Sequence, residues 1–132
     1  KDKNLRLFAE FENFRRRTAR ERIELFSTAN TDIMTALLPI LDNFERSIIA
    51  NNYSDEDGPV LIFKQLKSEL EKKGLKEIAD PIGKKLDTKF HEAITNIPAP
   101  SKKLKGKIVD IVEKGYLLGE KVIRYTKVVV GN

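Results

Sequence analysis

Very few side chains in this sequence could support acid–base or metal chemistry. The single histidine, His91, stands beside Glu92, and a histidine next to a carboxylate is a possible general base or metal ligand. A metal site there would need carboxylates from elsewhere, because the sequence has no cysteine and no second histidine. It also has no phosphate-binding glycine loop and no nucleophile motif of the G-x-S-x-G kind. We therefore expect a structural or surface role for His91, no cofactor, and a protein that is not an enzyme.

A cluster of arginines is the most prominent charged feature. Five of them fall within eight positions: Arg15, Arg16, Arg17, Arg20 and Arg22. Successive residues of a helix point about 100° apart, so these side chains would form a collar of charge rather than a stripe. Two interpretations stay open: a solvated stretch neutralised by glutamates at helical spacings, or a docking site for a partner. Nucleic-acid binding would need aromatic side chains free to stack, and Phe11 and Phe14 are better placed in an apolar seam.

The element that must carry these arginines is a long amphipathic helix between Leu5 and Ile49. Its apolar positions recur in steps of three and four, a period of about 3.5 residues that is typical of a left-handed coiled coil. Glu12, Arg15 and Arg22 interrupt the seam, which is therefore irregular. A helix of about 35 residues is about 50 Å long, whereas a compact chain of this length has a radius of gyration of about 14 Å. We expect a second copy to cover the stripe, giving a homodimer; the alternative is a helix that folds back on its own chain.

Pro39 interrupts this helical pattern. Proline has no N–H and crowds the preceding turn, so we expect a break or kink at Leu38 and a new helix from Pro39 to Ile49. A turn-rich loop follows, and the spacing of apolar residues then predicts a second helix over Pro59 to Lys73. Two such hairpins, one from each chain, would form a four-helix bundle. The expected dimer interface consists of Leu5, Phe8, Phe11, Phe26, Ile33, Leu37, Leu41, Phe44, Ile48, Phe63 and Leu66.

From Leu75 onward, glycines and prolines separate short apolar runs, a pattern typical of β-structure. We expect strands at Phe90–Ile97, Lys107–Glu113 and Val128–Val130, and a hairpin around Gly119. The predicted fold class is α+β. Residues 1–38 would form the long paired helix, residues 39–74 the hairpin of the dimeric four-helix bundle, and residues 75–132 a small all-β domain.

The net charge of +5 is concentrated near the C-terminal end, where residues 101–132 hold eight basic and three acidic side chains. Such a surface could attract nucleic acid, a membrane or an acidic protein, and charge alone does not choose among them. The apolar runs are far shorter than the roughly 20 residues of a membrane span, and there is no signal-peptide pattern. We therefore expect a cytoplasmic protein that does not act at a membrane.

Several motifs occur in an order that points to one family. They are Glu12 to Arg17, Leu37 to Arg46, Gly58 with Phe63 to Leu66 and then Gly74, His91 to Ile94, Val112 to Leu118, Val122 to Arg124, and Val128 to Val130. In these segments the chain resembles GrpE, the family of nucleotide exchange factors of DnaK-type chaperones. The family usually has F-D-P before its H-E-A segment, and here Leu86-Asp87-Thr88 stands in that place.

The resemblance implies an exchange factor whose dimer engages the nucleotide-binding domain of one DnaK-type chaperone and accelerates ADP release. It also implies a long helix that responds to temperature. The implied chaperone-binding residues are Arg15, Arg16, Arg17, Gly58, Val112, Lys121 and Val130. Gly58 could instead be only a turn residue, and Val112 and Val130 could be core residues. A basic coiled coil that binds nucleic acid, or a structural tether, is the alternative function.

The length of the amphipathic helix yields a direct test of the oligomeric state. Because one chain of this size cannot bury so long an apolar stripe, sedimentation at micromolar concentration should give the mass of a dimer with an elongated shape. A lone compact molecule under the same conditions would contradict the predicted homodimer.

Overall fold

The computed structural model describes residues 2–132, apart from the side chains of residues 26 and 27. It divides into two compact units, residues 1–33 and residues 34–132, which are described separately. The elements are α1 (Asp2–Ala50), α2 (Gly58–Lys72), β1 (Leu75–Glu77), β2 (His91–Ile97), β3 (Ile108–Glu113), β4 (Tyr116–Leu118), β5 (Lys121–Arg124) and β6 (Thr126–Gly131), with a 3₁₀ turn at Lys102–Leu104. In the described part of the chain, neither α-helix is both long and apolar enough to cross a membrane.

Helix α1 runs through Pro39 as one continuous, bent helix, so of the expected break or kink at Leu38 the break was wrong, and so was the new helix from Pro39. A proline in a helix interior costs about 3 kcal/mol because it removes a hydrogen bond and crowds the previous turn. On either side of it, Leu38 and Leu41 are 0% and 1% exposed. Burying two leucine side chains contributes about 3–6 kcal/mol, which offsets the cost of the proline and favours one continuous helix.

Helix α2 agrees with its prediction to within one residue at each end. Asp57 precedes it in an extended conformation, and Pro59 lies in its first turn, where a missing N–H costs nothing. The helix ends before Gly74, whose φ of +103° suits a residue without a side chain. The rings of Phe44 and Phe63 lie with their centroids 6.0 Å apart, so the second half of α1 and α2 are in contact.

The strands form two three-stranded sheets, with strand orders β1-β4-β5 and β2-β6-β3. In the second sheet, β6 pairs in parallel with β2 and antiparallel with β3. The predicted strands and the hairpin at Gly119 are confirmed. Strand β1 was not predicted, because three residues are too few to show the alternation on which strand prediction depends.

One apolar core joins the helices of residues 34–132 to the strands. Its buried members are Met34, Leu38, Leu41, Leu70, Leu75 and Tyr116. The neighbour of the tyrosine, Gly115, has no room for a side chain, because a Cβ there would lie 2.4 Å from the backbone nitrogen of Thr126. The backbone of Thr126, the first residue of β6, therefore packs directly against Gly115, the residue before Tyr116.

The buried position of Leu38 predicts a large loss of stability on truncation. Leu38→Ala should lower the free energy of unfolding by about 2–5 kcal/mol, because it leaves a cavity between helix and strands. Ile82→Ala is the matched control, since Ile82 is 49% exposed, and it should change stability by about 0.5 kcal/mol or less. Urea unfolding followed by circular dichroism measures both, and equal effects would contradict the packing described here.

Candidate functional site

A largely buried ion pair lies where the strands of residues 34–132 meet helix α1. The guanidinium of Arg124 donates two parallel hydrogen bonds to the carboxylate of Asp42, at 2.7 and 2.8 Å. Its Nε donates a third to the carbonyl oxygen of Lys114, at 2.8 Å, and the group stacks 5.4 Å from the ring centroid of Tyr116. Only 15% and 13% of the two charged side chains are exposed. Burial alone would lower the pKa of Arg124, but the Asp42 carboxylate outweighs it and the pKa is raised.

A second cluster of ion pairs continues from this point. The Nζ of Lys114 lies 3.0 Å from a carboxylate oxygen of Glu45 on α1 and 3.5 Å from one of Glu77 on β1. Lys67 on α2 lies 3.1 Å from the other oxygen of Glu77. Burial by itself lowers the pKa of Lys114, and the two carboxylates overcome it and raise the pKa. Both helices are therefore tied to the strands by alternating charges.

A groove of about 550 Å³ opens beside these pairs. Its lining residues are Asp42, Glu45, Arg46 and Ile49 from α1, with Ile111, Val112, Glu113, Lys114 and Lys127 from the strands. The three carboxylates are all engaged by Arg124, Lys114 or Lys127. The apolar atoms available to a partner are therefore those of Ile49 and Val112, which are 75% and 57% exposed.

Four of the predicted chaperone-binding residues lie in residues 34–132. Gly58 begins α2, is exposed, and has no atom within 4 Å of the position a Cβ would take. Val112 on β3 is exposed and so is not a core residue, while Val130 on β6 is partly buried in the same sheet. Lys121 begins β5 in the other sheet and is exposed. The structure thus brings Val112 and Val130 onto one sheet and places Gly58 and Lys121 on separate elements.

Arg15, Arg16 and Arg17 are all exposed on α1 in residues 1–33. Arg15 lies 3.4 Å from Glu12, and Arg17 lies 3.9 Å from Glu21 and 5.7 Å from the ring of Phe14. These spacings are the local neutralisation that one interpretation of the collar expected. Since surface pairs of this kind contribute at most about 1 kcal/mol, they leave the arginines able to exchange partners.

The predicted dimer-interface residues differ in how far their side chains are exposed. Exposed ones are Leu5, Phe8, Phe11 and Ile33, and partly buried ones are Leu37, Phe44, Ile48, Phe63 and Leu66. Leu41 is a correction, because it is fully buried in the core of its own chain and has no surface left for a second copy. The side chain of Phe26 lies outside the described residues, so its predicted role stays a prediction.

His91 takes part in the turn that precedes β2. Its Nδ1 accepts a hydrogen bond from the backbone N–H of Asp87 at 3.0 Å, which closes the turn before β2. Burial lowers the pKa of His91; the Asp87 carboxylate opposes this shift and Lys84 adds to it. A cavity of about 410 Å³ adjoins the turn, lined by residues that include His91, Phe90 and Lys84. Within residues 2–132 no group of acidic or histidine side chains is arranged to hold a metal ion.

The Asp42–Arg124 pair was not predicted from the sequence. The two residues stand 82 positions apart, and neither helical nor strand periodicity relates residues at that distance. The only signal was that both occur in segments that carry the family resemblance, Leu37 to Arg46 and Val122 to Arg124. No spacing argument could have paired them.

A continuous helix, a second helix and two three-stranded sheets define an α+β protein. The GrpE family model matches residues 1–132. "Protein GrpE" of Parabacteroides distasonis is 46% identical over 98% of the chain and 69% of that protein. Those of Bacteroides thetaiotaomicron and Clostridium acetobutylicum are 43% and 37% identical, over 99% and 100% of the chain and 70% and 66% of those proteins. The chain belongs to the GrpE family, a family of co-chaperones of DnaK-type chaperones.

The lowered pKa of His91 predicts a pH dependence of stability. The unfolded chain binds a proton near pH 6.5, which the folded chain resists because burial disfavours the charged imidazole, with Lys84 adding to this effect and Asp87 opposing it. Protonation of Nδ1 would also remove the hydrogen bond that it accepts from the Asp87 N–H. The contribution of His91 is therefore fully present above pH 6.5 and is lost as the pH falls through its lowered folded value. NMR titration of the single histidine gives its pKa, and His91→Gln should remove this part of the pH dependence. A histidine that titrates at or above 6.5 would contradict the hydrogen bond.

Proposed function

We propose that this chain is a nucleotide exchange factor that binds the nucleotide-binding domain of a DnaK-type chaperone and accelerates the release of ADP. Membership of the GrpE family supports the partner. The observation that carries the proposal is Val112, a β-branched side chain that is 57% exposed on β3 and lines a groove together with residues of α1. An exposed apolar residue beside a groove suits a protein partner better than a nucleic acid.

The proposed mechanism needs no bond to be made or broken by this chain. The β-strand region would bind the chaperone more tightly when its nucleotide cleft is open, and the bound ADP would then lose contacts and leave faster. Each 1.4 kcal/mol of preference for the open conformer gives about a tenfold change in population. Entry of ATP would later release the exchange factor. A cytoplasmic location of this protein fits such a partner.

The proposed assembly is a homodimer in which residues 1–38 pair, residues 39–74 contribute to a four-helix bundle, and residues 75–132 form the chaperone-binding β-domain. Support comes from apolar residues that remain exposed on the helices. They are Leu5, Phe8, Phe11 and Ile33 in residues 1–33, and Ile40, Leu61 and Ile62 in residues 34–132. Leu41 is no longer part of this proposal. A second copy is the simplest cover for apolar stripes on consecutive helices.

We also propose that the first part of α1 responds to temperature. Glu12, Arg15 and Arg22 occupy positions of its apolar seam, and charged residues at such positions weaken a coiled coil. Residues 34–132 instead share one buried core with its own ion pairs. Scanning calorimetry of the dimer should show two transitions, with the helix of residues 1–33 melting first. A single cooperative transition would contradict the temperature response and leave the exchange function intact.

The exchange function predicts a specific effect of a charge at position 112. Stopped-flow release of labelled ADP from a DnaK-type chaperone should accelerate when the wild-type dimer is added. Val112→Asp should raise the concentration for half-maximal acceleration by about tenfold, the effect of losing roughly 1.4 kcal/mol of contact. The matched control is Ile82→Asp, an exposed apolar position away from the groove.

Two outcomes would count against the proposal. Absence of acceleration by the wild-type dimer would exclude exchange as the function. Equal effects of the two substitutions would show that Val112 has no special part in binding. Salt-sensitive binding of DNA by the same preparation, with no exchange activity, would favour the nucleic-acid alternative.

A further inference from the structure

The strands of residues 34–132 have one covalent connection to the helices. Helix α2 ends at Lys72 and β1 begins at Leu75, with Gly74 between them at a φ of +103°. A single short connection that contains a glycine does not define an orientation by itself. Non-covalent contacts between helices and strands must therefore decide how the β-domain sits on α1 and α2.

Two kinds of contact are available, and they differ in what they specify. The apolar core of Leu38, Leu41, Leu70 and Tyr116 holds the surfaces together, but hydrophobic attraction is non-directional. The paired hydrogen bonds between Arg124 and Asp42 are directional, because a planar guanidinium meets both carboxylate oxygens only in one arrangement. The ion pair thus adds angular information to the core, as the single-point pairs Glu45–Lys114 and Lys67–Glu77 do, and it alone among them is bidentate.

The arginine is already fixed on the strand side. The carbonyl oxygen of Lys114 accepts its Nε–H, the ring of Tyr116 lies beneath it, and the carboxylate of Glu113 is 3.5 Å away. Of the side chains that bond to the guanidinium, Asp42 is the one from a helix among the described residues. The strand side therefore holds the guanidinium of Arg124 in place, and Asp42 on α1 supplies the carboxylate that accepts its two hydrogen bonds.

We infer that Asp42 and Arg124 are positioning residues, which set the orientation of the β-domain on the helices so that the chaperone meets Val112 in one fixed arrangement. The inference rests on the proposed function for its consequence, and on geometry alone for the orientation. A β-domain that holds the nucleotide cleft of the chaperone open must keep its orientation on the helices. A domain that is free to rotate could move with the cleft as it closes. Replacing a buried ion pair often changes stability little when both partners go, so orientation is a more specific role for it than stability.

The orientation can be measured without the chaperone. The chain has no cysteine, so Ser68→Cys on α2 and Lys105→Cys before β3, both exposed, provide two unique sites for spin labels. Doubly labelled protein diluted with unlabelled protein isolates the distance within one chain by pulsed electron resonance. Wild type should give one narrow distribution, while Asp42→Asn and Arg124→Lys should broaden or shift it. Arg124→Lys keeps the charge but loses the planar fork. Lys64→Gln, which removes the exposed pair with Asp55, is the matched control and should leave it unchanged.

The functional consequence is measured by ADP release, well below the melting temperature of each variant. Asp42→Asn and Arg124→Lys should each lower the maximal acceleration of ADP release several-fold and raise the concentration for half-maximal acceleration. Lys64→Gln should match wild type. A purely stabilising role predicts a lower melting temperature with an unchanged distance distribution and maximal acceleration, and that result would overturn the inference. An Arg124→Lys variant with wild-type behaviour in both assays would overturn it too. If wild type itself accelerates nothing, the proposed function fails, and the distance distributions still decide the orienting role.

Discussion

The burial of Tyr116 against helix α1 is the contact on which the arrangement of residues 34–132 depends. Its ring is 1% exposed and packs with Leu38 and Leu41. A side chain of this size reaches the helix only if the following chain comes close behind it, and Gly115 leaves that space for the start of β6. Burial also raises the pKa of the Tyr116 phenol, so the ring enters the core uncharged over the physiological range.

Several partly buried charged residues lie at the edge of the same core. Apolar packing of a small β-domain is limited, because a region of about 60 residues buries only about 60% of the surface of its unfolded chain. The pairs Asp42–Arg124 and Lys67–Glu77 each bridge a helix and a strand, and Glu45–Lys114 joins α1 to the turn that precedes Tyr116. Each charged group at this boundary has a partner of opposite sign, which removes the penalty of leaving a partly buried charge alone.

Local rules predicted most of the elements and failed where distant residues intervene. The periodicity of apolar residues placed α2 to within one residue, and β-branched runs placed β2, β3 and β6. The break at Pro39 was predicted because the energetic cost of a proline in a helix is local. The compensating burial of Leu38 involves strands far along the chain. Leu41 was assigned to a second copy for the same reason: a helical stripe shows which residues must be covered, but not by which chain. Asp42 and Arg124, which are separated by 82 positions, required the tertiary structure to be paired.

Under the proposed function, these contacts bear directly on how a nucleotide exchange factor acts. Such a protein changes its partner only through a difference in affinity between two of the partner's conformations. A flexible support would let the contacts at Val112 adjust to either conformation, and the difference in affinity would shrink towards zero. A support fixed by a buried core and a bidentate ion pair keeps the contacts in one arrangement, which fits one conformation better than the other. Under the proposed function, the rigidity of residues 34–132 is therefore as important as the chemistry of the surface that they display.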